Sequence, residues 1–238
     1  GRMASGLVGL GRMVEPAELL GHIRLVLGLG GPLSEVRVLV TAGGTQEPID
    51  PVRAITNRSS GKQGYALAQA ALDAGAEVLL VHTPTSLTTP VGAQEMLVHT
   101  AAEMKAAVLE AAGQYDVVLM AAAVADFRPA HAAKQKIKKG SNVLILQLEP
   151  TEDVLLQLAG VRKPGALPRV VVGFAAESQE LEQNAAQKLK AKRLDMIVAN
   201  DISATDAGFG VDTNRVTLLY PDGRREELPL QSKAEVAE

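Results

Sequence analysis

Short apolar runs rich in β-branched residues alternate along this chain with alanine-rich segments whose apolar residues recur at helical spacing. The runs predict buried strands, and the segments between them predict helices that pack on those strands. The predicted strands are Val36–Val40, Glu77–His82, Met96–His99, Val117–Met120, Arg169–Gly173 and Met196–Ala199, and the predicted helices are Gly61–Ala74, Ala101–Ala112, Thr151–Leu158 and Leu181–Lys192. Repetition of strand, helix and strand favours a parallel sheet with right-handed crossovers.

Two segments depart from this alternation. Val143–Leu148 is a continuous apolar run that predicts a further strand. Val216–Tyr220 and Arg224–Leu228 flank Asp222-Gly223, a strong signal for a hairpin turn. The predicted fold class is therefore α/β, a Rossmann-like parallel sheet with flanking helices plus a small subsidiary β region.

Residues 1–35 differ from the rest of the chain. Glycines at positions 6, 9 and 11 precede a short helical pattern from Pro16 to Leu27, and a glycine- and proline-rich break follows at Gly28–Pro32. We interpret residues 1–35 as a linker and the remnant tail of an upstream domain. Residues 36–238 form the second predicted unit.

Composition narrows the classes of function. The net charge of −3 offers no global attraction for nucleic acid, and no apolar run reaches the roughly 18–20 residues that span a bilayer. The chain has no cysteine, which excludes disulfides, thiolate metal sites and a cysteine nucleophile. The chain start has no signal-peptide pattern. We expect a cytoplasmic protein that binds neither nucleic acid nor a membrane.

The segment Thr41–Gly64 joins the first predicted strand to the first predicted helix, and we interpret it as one long loop. Gly43, Gly44 and Ser59-Ser60-Gly61 allow close backbone approach to an anion, and the helix that follows presents its N-terminus. Arg53 could pair with an anion, while the amide of Asn57 can orient a carboxylate without titrating. The alternative is a structural loop whose glycines only serve turns.

A second group follows the predicted strand Val117–Met120. Met120 and the alanines Ala121, Ala122 and Ala123 are expected at the same sheet edge as the first loop, where their lack of bulk lets a ligand approach the backbone. Asp126, which precedes Phe127, could bind a ribose hydroxyl or a metal-bound phosphate. The alternative is an ion pair between Asp126 and Arg128.

The run Lys134–Lys139 concentrates positive charge, since no acidic residue lies between Asp126 and Glu149. It suggests a polyphosphate clamp, with a solvated surface loop as the alternative. Phe174 ends another strand and could stack on a base or belong to the core. Lys188 and Lys192 lie four apart on one helical face, where they could reach a nucleotide or face solvent.

Several common motifs are absent from the sequence. No Gly-x-Gly-x-x-Gly follows the first strand, no Gly-x-x-x-x-Gly-Lys-Ser/Thr occurs, and no Gly-x-Ser-x-Gly nucleophile elbow is present. The four histidines have no metal-ligand spacing, so metal ligands stay unassigned. An oxidoreductase on a related sheet and a non-catalytic nucleotide-binding module remain as rival hypotheses.

Taken together, these residues resemble the phosphopantothenoylcysteine synthetase family, the synthetase half of the bacterial bifunctional coenzyme A biosynthesis protein. The matching segments are Thr41–Thr45, Pro48–Asp50, Val52-Arg53, Ile55–Asn57, Ser59–Gly61, Ala125–Pro129, Lys136–Lys139, Gly173–Glu177 and Ala199–Asp201. The segment Gly9–Pro16 also resembles the end of the family's flavin-dependent decarboxylase half. Almost all of that half is missing, so FMN and decarboxylation are not expected of this chain alone.

The resemblance implies a ligase with CTP as co-substrate and Mg²⁺ as cofactor. The carboxylate of 4′-phosphopantothenate attacks the α-phosphate of CTP, and L-cysteine then attacks the acyl-cytidylate. Asn57 and Lys136 would be catalytic, and Arg53, Asn57 and Ala123 would bind substrate. The implied nucleotide-binding residues are Gly43, Gly44, Ser59, Ser60, Gly61, Met120, Ala121, Ala122, Asp126, Phe127, Lys136, Glu152, Asp153, Phe174, Lys188 and Lys192. Glu152 and Asp153 stand where the family often has Asn-Pro-Asp. A homodimer with sites near the subunit interface is also implied.

Overall fold

The computed structural model describes residues 13–140, 143–177, 181–201 and 211–238. The glycines at positions 6, 9 and 11 lie outside these ranges. The helices are α1 (Pro16–Gly28), α2 (Lys62–Asp73), α3 (Ala101–Ala111), α4 (Val154–Val161), α5 (Leu181–Ala191) and α6 (Lys233–Ala237). The strands are β1 (Arg37–Ala42), β2 (Gln46–Asp50), β3 (Arg53–Thr56), β4 (Glu77–His82), β5 (Gln94–Leu97), β6 (Val117–Met120), β7 (Phe127–Pro129), β8 (Leu148–Pro150), β9 (Val170–Glu177), β10 (Met196–Asp201), β11 (Thr213–Asn214), β12 (Val216–Leu219), β13 (Arg225–Glu227) and β14 (Gln231–Ser232).

Within the described ranges, eight strands form the central sheet in the order β13-β12-β10-β9-β6-β1-β4-β5. Six neighbouring strands of this sheet run parallel, namely β10, β9, β6, β1, β4 and β5. The other two, β12 and β13, are antiparallel to their neighbours. This mostly parallel sheet with flanking helices confirms the α/β, Rossmann-like prediction. The bounds of β4 and β6 match the predicted strands, whereas β5 begins two residues before its predicted start.

The apolar core lies on both faces of the sheet because successive strand residues point to opposite sides. Along β1, Val38 and Val40 pack with Leu67 and Leu72 of α2, while Leu39 packs with Met104 of α3 on the other face. The helix α3 buries Ala101, Met104, Ala107, Val108 and Ala111, a spacing that places one apolar stripe against the sheet. The core is thus built mainly of aliphatic residues, in a chain that has three Phe, three Tyr and no Trp.

Two segments differ from the predicted secondary structure. The segment Thr41–Gly64 is not one long loop, because β2 and β3 pair within it as an antiparallel hairpin. Val143–Leu148 is not a strand: only Leu148 belongs to one, and Val143 and Ile145 are 87% and 85% exposed. An apolar run forms a strand only where another strand can pair with it, and among the described residues no strand pairs with residues 143–147.

The predicted hairpin of β12 and β13 does form, but it extends the main sheet beside β10. The subsidiary β region consists instead of β2-β3, β7-β8 and β11-β14 among the described residues. No described helix is long and apolar enough to cross a membrane.

Candidate functional site

The carboxyl ends of the parallel strands form the edge at which the sequence predicts a site. β1 and β6 are neighbours in the sheet, although β4 and β5 lie between them along the chain. In open α/β sheets such a reversal of strand order leaves a crevice beyond the strand ends, where ligands bind. The segments that follow β1 and β6 therefore form the walls of the candidate site.

One opening at this edge, the large cleft, has a volume of about 780 Å³. That volume is in the range of small-molecule sites. Its lining contains a polar amide, carboxylates and lysines around a floor of small residues. The lining residues are Asn57, Arg58, Met120, Ala122, Ala123, Val124, Ala125, Asp126, Phe127, Pro150, Thr151, Glu152, Asp153, Val154, Leu155, Phe174, Ala175, Lys188 and Lys192.

A second opening, the small cavity, has a volume of about 120 Å³ and lies next to the large cleft. Both share the wall formed by Ala122, Ala123, Phe174 and Ala175. The remaining lining residues are Ser59, Ser60, Gly61, Lys62, Gln63, Gly64, Ala121, Asn200, Asn214 and Lys233. The two openings thus form adjoining compartments with a wall of small side chains and one aromatic ring.

Backbone hydrogen bonds join the segment after β1 to the segment after β6. The N–H of Ala123 donates to the carbonyl of Gly43 at 2.8 Å, and the N–H of Thr45 donates to the carbonyl of Ala123 at 3.3 Å. Gly44 and Ala123 form a parallel β-bridge. Main-chain contacts at Ala123 therefore fix the wall that the two compartments share.

Two buried threonine side chains add to this connection. Oγ1 of Thr41 accepts a hydrogen bond from the N–H of Ala122 at 3.1 Å, and Oγ1 of Thr45 accepts one from the N–H of Ala125 at 2.9 Å. Both threonines are fully buried. Because a buried N–H needs a partner, these hydroxyls hold the alanine-rich segment at a set distance from β1.

Asn57 directly follows β3 and reaches into the large cleft. Its Nδ2 donates to the carbonyls of Ala123 at 3.3 Å and Val124 at 3.1 Å. A neutral amide makes these contacts without adding charge beside an anion. Asn57 therefore has a fixed orientation at the cleft wall.

Gly43 and Gly44 are buried and line neither compartment. Gly43 has φ +89°, and a Cβ there would lie 2.1 Å from Oγ1 of Thr83. A Cβ on Gly44 would lie 2.8 Å from the carbonyl oxygen of Asn57. These glycines allow close packing behind the site.

The helix α2 begins at the small cavity. Gly61 precedes it with φ +77°, and Ser59 Oγ accepts a weak hydrogen bond from the N–H of Gly61 at 3.4 Å. The first backbone N–H groups of a helix have no intrahelical partner, and the helix dipole is positive at this end. Ser59, Ser60 and Gly61 therefore lie where an anion is favoured.

The opposite wall of the small cavity contains residues that the sequence analysis did not assign. Nδ2 of Asn214 donates to Gln63 at 2.8 Å, and Nε2 of Gln63 donates to the carbonyl of Lys233 at 3.1 Å. Oδ1 of Asn200 is buried without a hydrogen-bond partner in the structure. Asn200 at the end of a predicted strand was a sequence signal for this wall, whereas Asn214 and Lys233 follow from tertiary packing alone.

Lys233 is 8% exposed at the start of α6. Burial lowers its pKa, and the charge of Lys62 lowers it further, although Asp212 opposes both effects. Its Nζ donates to the carbonyl of Val211. A buried cation therefore lies beside the small cavity.

Carboxylates and lysines pair along the large cleft. Nζ of Lys192 lies 2.8 Å from Oδ2 of Asp153, whose Oδ1 caps α4 by accepting from the N–H of Leu156. Glu152 forms an ion pair with Lys105, and this hydrogen bond lowers the pKa of Glu152.

Arg128 forms its ion pair with Glu149 and not with Asp126. Arg128 pairs with Glu149 at 2.7 Å, the residue opposite it in the β7-β8 ladder. The alternative pairing of Asp126 with Arg128 is thus not seen, and Asp126 is exposed at the cleft. Phe174 is half-buried, so it both packs on the core and lines the compartments.

Arg53 and Lys136 line neither compartment. Nη1 of Arg53 lies 3.1 Å from Oδ2 of Asp50, and its Nη2 donates to the carbonyl of Ile137 at 3.2 Å. Lys136 is exposed beside Ile137. Arg53 belongs to β3, and Lys136 precedes the residue that Arg53 contacts, so the β2-β3 hairpin sets where both residues lie.

The described residues contain no group of three or more His, Cys, Asp or Glu side chains placed to hold a metal ion. The large cleft nevertheless presents the carboxylate of Asp126, and Mg²⁺ in nucleotide sites takes one or two carboxylates together with phosphates and waters. The donor set fits a nucleotide-bound Mg²⁺ rather than an ion held by protein alone.

The family model for the DNA/pantothenate metabolism flavoprotein C-terminal domain matches residues 33–238. The coenzyme A biosynthesis bifunctional protein CoaBC of Bacillus subtilis is 45% identical over 240 residues, which are 100% of this chain and 58% of that protein. The chain therefore spans less than two thirds of this relative.

Two solved structures share the fold. The C-terminal domain of the bifunctional protein CoaBC superposes with a TM-score of 0.72 at 41% identity, covering 86% of this chain and 91% of that one. A Cab2 variant in complex with phosphopantothenate-cysteine has a TM-score of 0.68 at 18% identity, covering 94% of this chain and 92% of that one. At this identity the second likeness shows the fold alone.

Proposed function

Because the chain belongs to the family of the DNA/pantothenate metabolism flavoprotein C-terminal domain, we propose that it is the ligase that joins 4′-phosphopantothenate to L-cysteine with CTP as co-substrate. The name of its CoaBC relative describes a bifunctional protein of coenzyme A biosynthesis. The proposal assigns to this chain the ligation step, and to residues 36–238 the synthetase domain. Decarboxylation would need the FMN-binding part that we propose precedes residues 1–35.

The observation that carries the proposal is the pair of adjoining compartments, with Asn57 in the large cleft fixed against their shared wall at Ala123. The small cavity offers a helix N-terminus and Lys233, and the large cleft offers Lys188 and Lys192. A carboxylate and a nucleotide triphosphate repel each other, so a catalyst must hold both among fixed positive groups. The two compartments meet that requirement.

The proposed reaction has two steps. A carboxylate oxygen of 4′-phosphopantothenate attacks the α-phosphorus of CTP, the bond to the bridging oxygen breaks, and pyrophosphate leaves. The cysteine amine, having lost a proton to solvent, then attacks the carbonyl carbon of the acyl-cytidylate. The new C–N bond forms, the nitrogen loses its extra proton to solvent, and CMP leaves with the former carboxylate oxygen.

The residues have separate proposed roles. Asn57 orients the activated carboxylate, since its amide can contact an acyl phosphate without competing for protons. Lys188 and Lys192 contact phosphates, and Phe174 stacks on the base. Asp126 contacts the ribose or the Mg²⁺ that, when bound, neutralises phosphate charge.

Arg53 and Ala123 belong to the proposed pantothenate side, and Lys136 to the phosphates. A homodimer completes the proposal, and it would give the exposed apolar side chains of Val143 and Ile145 a surface to pack on. Light scattering of the purified protein tests this part: a monomer at micromolar concentration would exclude it.

The main experiment measures pyrophosphate release from CTP and 4′-phosphopantothenate, before and after addition of L-cysteine, with ATP in place of CTP as a comparison. We expect release with CTP and completion of the amide only with cysteine. Turnover of a nicotinamide cofactor without pyrophosphate release would favour the oxidoreductase, and nucleotide binding without any turnover would favour the non-catalytic module.

The variant Asn57→Asp isolates the role of the amide. A carboxylate there would face the carbonyls of Ala123 and Val124 without a proton to donate, and it would repel the acyl phosphate. We expect acyl-cytidylate to accumulate and to be seen by mass spectrometry. Gln114→Glu is the matched control, because it makes the same change on an exposed residue ahead of β6. Full ligation by Asn57→Asp would remove Asn57 from the mechanism.

A further inference from the structure

Asp50 is a buried carboxylate in the β2-β3 hairpin that the proposed mechanism does not use. Its side chain has no exposed surface. Oδ1 accepts hydrogen bonds from the N–H groups of Val52 and Arg53, both at 2.9 Å. These contacts close the hairpin turn, in the manner of an aspartate that bonds its own backbone two residues on.

The second oxygen of Asp50 contacts a different part of the chain. Oδ2 accepts from the N–H of Ile137 at 3.1 Å and from Nη1 of Arg53 at 3.1 Å. Nη2 of the same Arg53 donates to the carbonyl of Ile137 at 3.2 Å. The carboxylate and the guanidinium therefore hold both backbone polar groups of Ile137.

We call residues 133–139 the lysine loop; it carries Lys134, Lys136, Lys138 and Lys139, all exposed. It contains no helix or strand in the structure. Among the described residues, every hydrogen bond of this loop to the rest of the chain joins it to the hairpin. Two involve Ile137, and in the third the N–H of Ala133 donates to the carbonyl of Ile49 at 2.8 Å.

The positive charge of the lysine loop opposes a fixed conformation, so its contacts with the hairpin are what hold it in one place. Like charges so close in sequence repel one another and favour a spread, solvated arrangement. Ile137 is half-buried while its neighbours Lys136 and Lys138 are exposed. Holding Ile137 therefore fixes where the two adjacent ammonium groups begin.

The same hairpin also reaches the cleft. Asn57 directly follows β3, and its amide bonds the cleft wall at Ala123 and Val124. β2 in turn packs on β7, whose Phe127 lines the large cleft. One hairpin thus contacts the cleft at one end and the lysine loop at the other.

We propose that Asp50 is a positioning residue that holds the lysine loop, and Lys136 in particular, in place for the nucleotide phosphates proposed to bind in the large cleft. The proposal rests on the proposed function, because Lys136 matters only if a polyphosphate binds. Asp50 acts through the backbone of Ile137 and does not contact substrate.

The test is a double-mutant cycle of Asp50→Asn and Lys136→Ala, scored by CTP-dependent pyrophosphate release. Asn keeps the size of Asp50, but its side chain is neutral and has one acceptor oxygen in place of the two that Asp50 uses. We expect Asp50→Asn to raise the KM for CTP about tenfold, the scale of one lost charge-assisted contact. In the Lys136→Ala background the same change should cost at most about twofold, since its target is gone. Equal losses in both backgrounds would overturn the proposal.

A second readout does not depend on activity. Trypsin cleaves after lysines in mobile segments, so Asp50→Asn should speed cleavage within the lysine loop while leaving the thermal midpoint above the assay temperature. Asp222→Asn is the matched control, because Asp222 closes the β12-β13 turn by accepting from the N–H of Arg224 at 2.9 Å.

These readouts separate failure of the inference from failure of the proposed function. If the unmodified protein releases no pyrophosphate, the function fails, and faster trypsin cleavage still supports attachment of the loop by Asp50. If it is active and cleavage in Asp50→Asn matches that in Asp222→Asn, the positioning role is refuted.

Discussion

The substitution Thr45→Val tests whether threonine hydroxyls hold the floor of the two compartments in place. Thr45 is fully buried, and its Oγ1 accepts the N–H of Ala125 at 2.9 Å. Valine has nearly the same shape, so the substitution removes the acceptor and leaves an unpaired buried N–H. Thr83 supplies the comparison, because it is also fully buried but its Oγ1 has no hydrogen-bond partner in the structure.

The expected magnitudes differ because only one of the two hydroxyls is paired. Leaving a buried donor unsatisfied costs about 1–3 kcal/mol, so Thr45→Val should lower the free energy of unfolding by about that amount. Thr83→Val removes a hydroxyl that gains nothing in the fold and regains contact with water on unfolding. It should therefore change the free energy of unfolding by less than about 0.5 kcal/mol, or raise it.

Urea unfolding followed by circular dichroism and by fluorescence measures both variants. Coincident transitions and an unchanged m-value are needed for the difference in midpoint to give a difference in stability. Thr45→Val should also weaken CTP binding, since Ala125 lines the large cleft. The reasoning fails if the two variants lose equal stability, or if Thr45→Val is as stable as the unmodified protein.

Three further predictions follow from other contacts. Gly64→Ala should lower stability by about 1–3 kcal/mol in thermal unfolding, since its Cβ would lie 2.5 Å from Cβ of Ala42; Gly160→Ala, in open space within α4, should raise it by about 0.5–1 kcal/mol. Asp153→Ala should cost about 0.5–2 kcal/mol by removing the cap of α4, and Asp153→Asn should restore most of it in urea unfolding; equal losses would exclude capping. Burial alone would raise the pKa of Asp50, but hydrogen bonds from backbone N–H groups and the charge of the adjacent arginine outweigh it and lower that pKa below 3.8. Its stabilisation is present above about pH 4 and lost as pH falls through the folded pKa, so the stability gap to Asp50→Asn should narrow between about pH 4 and pH 2, and a gap independent of pH would contradict this.

The main sheet could be predicted from sequence because its strands are signalled locally. The parallel strands inside the sheet have helices on both faces and so appear as short apolar runs, as in Glu77–His82 and Val117–Met120, whose predicted and observed bounds agree. The β2-β3 hairpin was missed for the opposite reason. Gln46–Asp50 contains glutamate, proline and aspartate, and its buried Glu47 is paired with the N–H of Ala101 at the start of α3. No local pattern reveals such a tertiary partner.

The candidate site divides in the same way. Residues at strand ends, such as Ala122, Asp126 and Phe174, could be predicted together because parallel strands end at one edge. Lys233 comes from the last helix, far along the chain, and its place at the small cavity follows from packing of α6 on α2. Sequence reasoning therefore found the edge of the sheet but not the wall that the C-terminal segment contributes.

The ion pairs of the large cleft explain how lysines can be held in place before an anion binds. Lys192 and Asp153 have side chains that are 19% and 35% exposed, and a pair so placed contributes about 0–1 kcal/mol. A charge-assisted hydrogen bond from the same ammonium group to phosphate contributes about 1.5–3 kcal/mol. In the proposed phosphate contact Lys192 exchanges one charged acceptor for another, while Asp153 keeps its bond to the N–H of Leu156 and α4 stays capped. The pairing thus orients Lys192 before an anion binds, which suits the phosphate contact that we propose for it.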